Sequence, residues 1–362
     1  MSGSIETNSG RKSGTIGAKV AGPTISASDP TITTNSTLGT QWANSTSGEF
    51  YILTDATTDE NVWTNVGSGS GNIKGFQGTI SGYTSAGNTG SNSNVIDKFS
   101  FSSDANATDV GDTASAIDAS AGQSSSIHGY ASGGTISSSS DIIQKFAFSS
   151  DGNASDISDL SVARMGASGQ SSQTHGYTAG GYTSSNVNII DKFTFVSDAD
   201  ATDVGDLTVA RRYGGGHSSG TYGYMSNGNG PYSNVIDKFA FASDANATDV
   251  GDSTAGRNNS TGQSSSDYGY TAGGVVSGSS LTNIVDKFAF ASDGNASDVG
   301  DLTVSRYYPC GQSSTTFGYC SGGTTGLANQ NVIDKWTFAS DANASDVGDL
   351  TVARYNSSDQ QV

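Results

Sequence analysis

Hydrophobic positions in this chain are sparse, and they recur in one short pattern. It is clearest at Asn283–Arg306, NIVDKFAFASDGNASDVGDLTVSR, with near-copies beginning at Asn94, Asp141, Asn188, Asn234 and Asn331. Successive starts lie 47, 47, 46, 49 and 48 residues apart. In one copy, Val235, Ile236, Phe239 and Phe241 make a β-rich run too short for a globular helix. The following SDANATDVGD is rich in Asp, Asn and Gly, which favour turns through local hydrogen bonds and positive φ. It predicts a hairpin leading to a weaker strand that ends near Ala255. Two small polar strands follow, Gln263–Ser266 and Tyr268–Ala272, and Gly273-Gly274 closes the second. Val235 and Phe239 point to one face of their run and Ile236 to the other, as in a strand covered on both sides. Burying each such side chain is worth roughly 1.5–3 kcal/mol.

Six copies of a four-stranded unit at this period predict an all-β fold of stacked sheets. A closed six-bladed β-propeller and an open β-solenoid both satisfy the pattern, and the closed form is favoured. Its first blade needs an innermost strand, which either Phe76–Ile80 or the C-terminal tail can supply. The tail qualifies because Arg354–Val362 (RYNSSDQQV) aligns with Arg306–Ser314 (RYYPCGQSS). Ahead of the repeats, residues 1–36 are rich in Ser, Thr and Gly and read as an extended N-terminal arm. Residues 37–66 carry Trp42, Phe50, Ile52 and Trp63 and predict a small β-meander. Residues 67–71 (GSGSG) read as a flexible linker, and 72–362 as the repeat domain.

Charged residues are only 14% of the chain, yet the net charge is −18, a balance that disfavours nucleic acid and anionic membranes as partners. No run of about twenty apolar residues is present for membrane insertion. The first residues, MSGSIETNSGRKSG, lack the apolar core of a secretory signal, so synthesis is expected to finish in a cytoplasm. Cys310 and Cys320 fall symmetrically about Thr315 on two paired strands, where they either face each other in a disulfide or stay reduced. The acidic hairpins hold 19 of the 34 acids and offer oxygen ligands such as Asp244, Asn246, Asp249 and Asp252. Calcium is the ion they would take, but an Asp-rich turn needs no metal, and no cofactor is expected. Asp237-Lys238 recurs in each copy except the second, where Gln144-Lys145 stands. An Asp facing the next sheet is placed to accept from the Arg that ends a strand, such as Arg211. The first copy lacks that Arg and has Ile117. His128, His175 and His217 form no Ser-His-Asp arrangement or zinc spacing, so no enzyme activity is expected.

The hairpins barely change between copies, whereas the connections after the diglycine and after the Arg do. In a four-stranded meander these two connections share one edge. That edge collects Tyr182, Arg212, Tyr213, Tyr232, Tyr307 and Tyr308, the candidate binding residues.

The unit resembles the Kelch repeat of β-propellers. The matching features are Tyr177–Gly181 (YTAGG), Ile189–Phe193 (IIDKF) and Leu207–Arg211 (LTVAR), and the resemblance covers about four-fifths of the chain. The fourth-strand Trp of Kelch is missing, with Val204 and its equivalents roughly there. Kelch-type copper oxidases use Tyr, His and a thioether-linked Cys, a set not reproduced here. Gly39–Gly67 resembles a small β-module of marine bacteriophage and cyanophage virion proteins. Low-complexity repeats behind such a module are similar to tail-fibre and capsid-appendage proteins. The resemblance implies a virion structural protein, made in the host cytoplasm and homo-oligomeric in the particle. Residues 1–66 would contact other virion proteins, and the propeller would face a host-surface glycan or protein. The alternative is a bacterial Kelch-like protein-interaction or glycan-binding module. A glycan hydrolase is disfavoured, since no carboxylate pair stands apart from the repeat.

Overall fold

The Asp-Lys runs become third strands of six four-stranded antiparallel sheets, and the small-residue stretches become their neighbours. The computed structural model describes residues 22–66, 77–230 and 232–362, and among them every regular element is a strand. Sheet four shows the plan: Gly215–Ser218, Tyr222–Ser226, Val235–Ala240 and Thr248–Asp252 pair in sequence order. Sheets two, three, five and six repeat it over residues 121–159, 168–206, 261–301 and 310–349. The register shifts between Ile236 and Asp237, and Ile236, Asp237 and Phe239 are all buried.

Sheet one is assembled from residues far apart in the chain. Ser358–Gln361 pairs with Ser81–Ser85, followed by Val95–Ser100 and Thr108–Asp112. Of the two candidate segments, the C-terminal one therefore supplies the first strand. Gly78 instead donates to the Ser313 carbonyl, and Thr79 and Ile80 to that of Val362. Phe76 and the linker at 67–71 lie outside the described residues.

Each sheet meets the next through the same contacts. The second-strand tyrosine packs face against a phenylalanine of the following sheet at 4.8–4.9 Å, tilted for Tyr83–Phe148 and stacked in the other copies through Tyr270–Phe338. Tyr319 of sheet six stacks in the same way on Phe101 of sheet one. The third-strand lysine pairs with a hairpin Asp of the following sheet, as Lys192 does with Asp244 at 2.8 Å, and Lys335 of sheet six pairs with Asp104 of sheet one. The hydrophobic core lies between sheets: Tyr177, Ile190 and Leu207 of sheet three pack with Met225, Phe239 and Ala247 of sheet four.

The Arg–Asp pairing read from the sequence is present in five copies. Arg164–Asp191, Arg211–Asp237, Arg257–Asp286, Arg306–Asp334 and Arg354–Asp97 lie 2.6–3.2 Å apart with both side chains fully buried. The two irregular copies turn out to be one exception. Ile117 takes the Arg position beside sheet two, and Gln144 takes the Asp position within it. Gln144 Oε1 accepts from the Ser115 amide at 3.0 Å, as Asp237 Oδ2 accepts from Thr208. The uncharged pair keeps this bond and omits both buried charges.

The cysteines do not face each other. Cys310 pairs with Ser321 and Gly311 with Cys320, so the register is one residue away from the symmetric one, and both thiols are free and buried. A one-residue difference puts two side chains on opposite faces of the pleat.

Two compact units divide after residue 73. In the first, Gln41–Asn44, Phe50–Asp55 and Val62–Asn65 form the expected meander, with Tyr51, Leu53 and Trp63 as its core. Thr24–Ser26, within the stretch read as an arm, adds a parallel strand to it. Asn61 Nδ2 donates to the Ile32 carbonyl and Trp42 Nε1 to that of Ser28, tying residues 28–32 to the meander.

Candidate functional site

The residue two positions after each closing Arg (or Ile117) has a left-handed backbone: Ala119, Gly166, Tyr213, Asn259, Tyr308 and Asn356, at φ 54–65°. Asn and Gly adopt this region readily, while Tyr does so only when its surroundings hold it there. The surroundings here are hydrogen bonds. Gly166 donates to the Ala119 carbonyl, Tyr213 to Gly166, Asn259 to Tyr213, Tyr308 to Asn259, Asn356 to Tyr308, and Ala119 to Asn356, at 2.7–3.0 Å. Six amides and six carbonyls thus form one cycle at the edge that carries the variable connections.

Side chains of this edge converge over the cycle. The Tyr213 and Tyr308 rings meet edge-on at 5.0 Å, Tyr307 lies 5.1 Å from Tyr308, and Tyr355 lies 5.8 Å from Tyr308. The Arg212 guanidinium sits 4.0 Å above the Tyr182 ring and 5.5 Å from that of Tyr213. The Tyr213 hydroxyl reaches Met165 Sδ at 3.9 Å. Five of the six sequence-predicted residues therefore form one cluster. Tyr232 is not joined to it by any ring contact among the described residues, although its φ of 22° marks a constrained turn. The sequence reading missed Tyr355, although the alignment of Arg354–Val362 with Arg306–Ser314 places it opposite Tyr307.

Burial raises the Tyr213 phenol pKa, with the Arg212 charge opposing it, and burial raises that of Tyr308. Both remain neutral hydroxyls. Asp118, whose pKa is also raised by burial, accepts from Asn88 Nδ2 at 3.0 Å on the same edge. Tyr213 and Tyr308 line the mouth of a cavity of about 70 Å³ that runs between the first strands. The cluster offers flat apolar faces, phenol hydroxyls and one stacked cation, the groups that bind sugars and polypeptides.

The opposite edge is occupied by sheet-to-sheet bonds. In the hairpin of sheet four, Asp244 takes Lys192, Asn246 Oδ1 accepts from the Asp206 amide, and Asp249 accepts from Gly251. Three of the four oxygen groups considered for calcium in this hairpin thus already have protein partners. Among the described residues, no group of three or more His, Cys, Asp or Glu is placed to hold a metal ion.

Comparison with models of known protein families and with curated proteins finds no match.

Proposed function

We propose that the six sheets are the blades of a closed six-bladed Kelch-like propeller, and that the protein is a phage virion appendage of tail-fibre or capsid-decoration type. Its tyrosine-bearing edge would bind a glycan or protein on the host surface. The cycle of backbone bonds through Ala119 and Asn356, and the contacts from sheet six to sheet one, support the closed form. One observation carries the binding role. Five tyrosine rings and a guanidinium converge at one edge from four different connections, while the other edge repeats the same bonds from sheet to sheet. An edge that only holds sheets together has no reason to differ between them. Binding loops on a rigid scaffold do differ. Attachment through residues 1–66, the virion location and oligomerisation rest on the resemblance of Gly39–Gly67.

The test replaces Tyr213 and Tyr308 by Asn, the residue at equivalent positions 259 and 356, and Tyr307 by Ser. These changes suit the left-handed backbone, so the variant is expected to melt close to the parent. Particles carrying it should adsorb to host cells at least tenfold more slowly. Unchanged adsorption in a folded variant refutes the binding edge, and absence of the chain from purified particles by mass spectrometry refutes the virion reading. In that case the alternative of a bacterial Kelch-like protein-interaction or glycan-binding module is pursued, and the same variant is assayed against surface glycans.

A further inference from the structure

The second residue of the first strand is glycine in five sheets: Gly122, Gly169, Gly216, Gly262 and Gly311. These strands abut so closely that a Cβ on Gly169 would run into the Gly122 carbonyl, one on Gly216 into that of Gly169, and one on Gly262 into that of Gly216. A Cβ on Gly122 would run into the backbone of Asp359. In sheet one the equivalent residue is Asp359. The chain thus places one carboxylate where its five counterparts carry no side chain at all.

Two cavities border Asp359. The one beneath Tyr213 and Tyr308 is about 70 Å³, and the one on the far side, among Ser124, Ser171, Ser218, Ser264 and Ser313, is about 30 Å³. Each exceeds the roughly 10–15 Å³ needed for a water molecule. Among the described residues, Asp359 is the one carboxylate that lines either cavity, and no Lys, Arg or His lines them. Burial pushes its carboxyl pKa up to about 7, with its own backbone amide opposing the shift. The carboxylate is half-buried, and water-sized space reaches it from both cavities. Partial burial of an anion is costly unless a cation or hydrogen bonds compensate it. The surrounding groups are hydroxyls, amides and peptide carbonyls, which are hard oxygen donors. The net charge of −18 raises the local concentration of cations.

We propose that this cavity binds one hard cation, with Asp359 as its only charged ligand and neutral oxygens or water completing the shell. The site is separate from the acidic hairpins and lies beneath the tyrosine edge, whose Tyr213 and Tyr308 line the same cavity. A single carboxylate places calcium affinity in the weak class, with Kd of roughly 10⁻⁴–10⁻³ M.

Thermal melts of the full chain test this at constant ionic strength, with calcium chloride, sodium chloride or potassium chloride each compared against choline chloride. At pH 8 at least one metal salt should raise the midpoint by several degrees over choline, and the salt that does so identifies the ion. The rise should vanish in Asp359→Asn and in Asp359→Gly, the latter carrying the residue that five sheets already tolerate. It should also vanish at pH 5, where the carboxyl is protonated. Calorimetric titration with the active ion should give one site per chain that Asp359→Gly lacks. A rise that persists in both variants places the ion elsewhere and overturns the proposal. So does a parent protein that responds to none of the three salts.

Discussion

His217 shows how one residue departs from a repeat and leaves a measurable signature. Gln stands at its position in the other five sheets, and Gln170 Nε2, for example, donates to the Tyr224 carbonyl of the next sheet at 3.1 Å. His217 lies within 3.1 Å of the Gln263 carbonyl and 2.8 Å of Ser226 Oγ, and its ring meets Phe288 edge-on. Burial lowers its pKa to about 4, with the Gln263 carbonyl opposing the shift. The unfolded imidazole binds a proton near pH 6.5 and the folded one near 4, so its contribution is complete above 6.5 and is lost as pH falls through that window. The full loss is about 3 kcal/mol. His217→Gln should therefore lose less stability than the parent between pH 7.5 and 4.5 in urea melts. Parallel pH profiles would show that the imidazole is not held neutral.

At the scale of the element, the buried Arg–Asp pairs join the turn after a fourth strand to the third strand of the next sheet. Arg211→Met leaves Asp237 charged and buried, and should cost about 3–5 kcal/mol. Arg211→Ile with Asp237→Gln copies the Ile117–Gln144 arrangement and should recover most of that loss in denaturant melts. A double variant no more stable than Arg211→Met would rule out the reading of Ile117 and Gln144 as one matched exception. The sequence exposed much of this level. Period, strand count, the Arg–Asp partnership and the division into a uniform and a variable edge all follow from comparing copies. Other features were not exposed, for identifiable reasons. The Cys310–Cys320 register depends on the turn at Ser314–Phe317, and a one-residue choice there is not encoded by small polar strands on either side. Thr24–Ser26 has no hydrophobic alternation to mark it as a strand. Ile117 and Gln144 fall in different copies, so they read as separate irregularities until the sheets are placed side by side. Asp359 aligned with Gly311, but only the approach of neighbouring backbones shows why glycine is the rule there.

At the scale of the molecule, one sheet depends on a contact of a different range from the rest. Ser85 bonds Ser358 across 273 residues and Gln360 across 275, while Gln123 and Ser132 make the bond equivalent to Ser85–Gln360 in sheet two across 9. Loop-closure entropy grows with the logarithm of length, so that span costs about 3 kcal/mol more to close. Removing residues 356–362 should leave Ser81–Ser85 as an unpaired edge, of the kind that recruits other chains. Light scattering after size exclusion should then show dimers or larger species, and a monomer that melts like the parent would contradict the role of the closing strand. The same pairing sets an order of events during synthesis on the ribosome. The strands of sheets two to six are each contiguous in the chain, so each can pair its strands as they emerge and pack once the next sheet follows. Sheet one must wait for Ser358, and at about 5–20 residues per second those 273 residues take roughly 14 to 55 s. For that interval the nascent chain carries an open strand edge at Ser81–Ser85, of the kind that pairs with neighbouring nascent copies when they are crowded together.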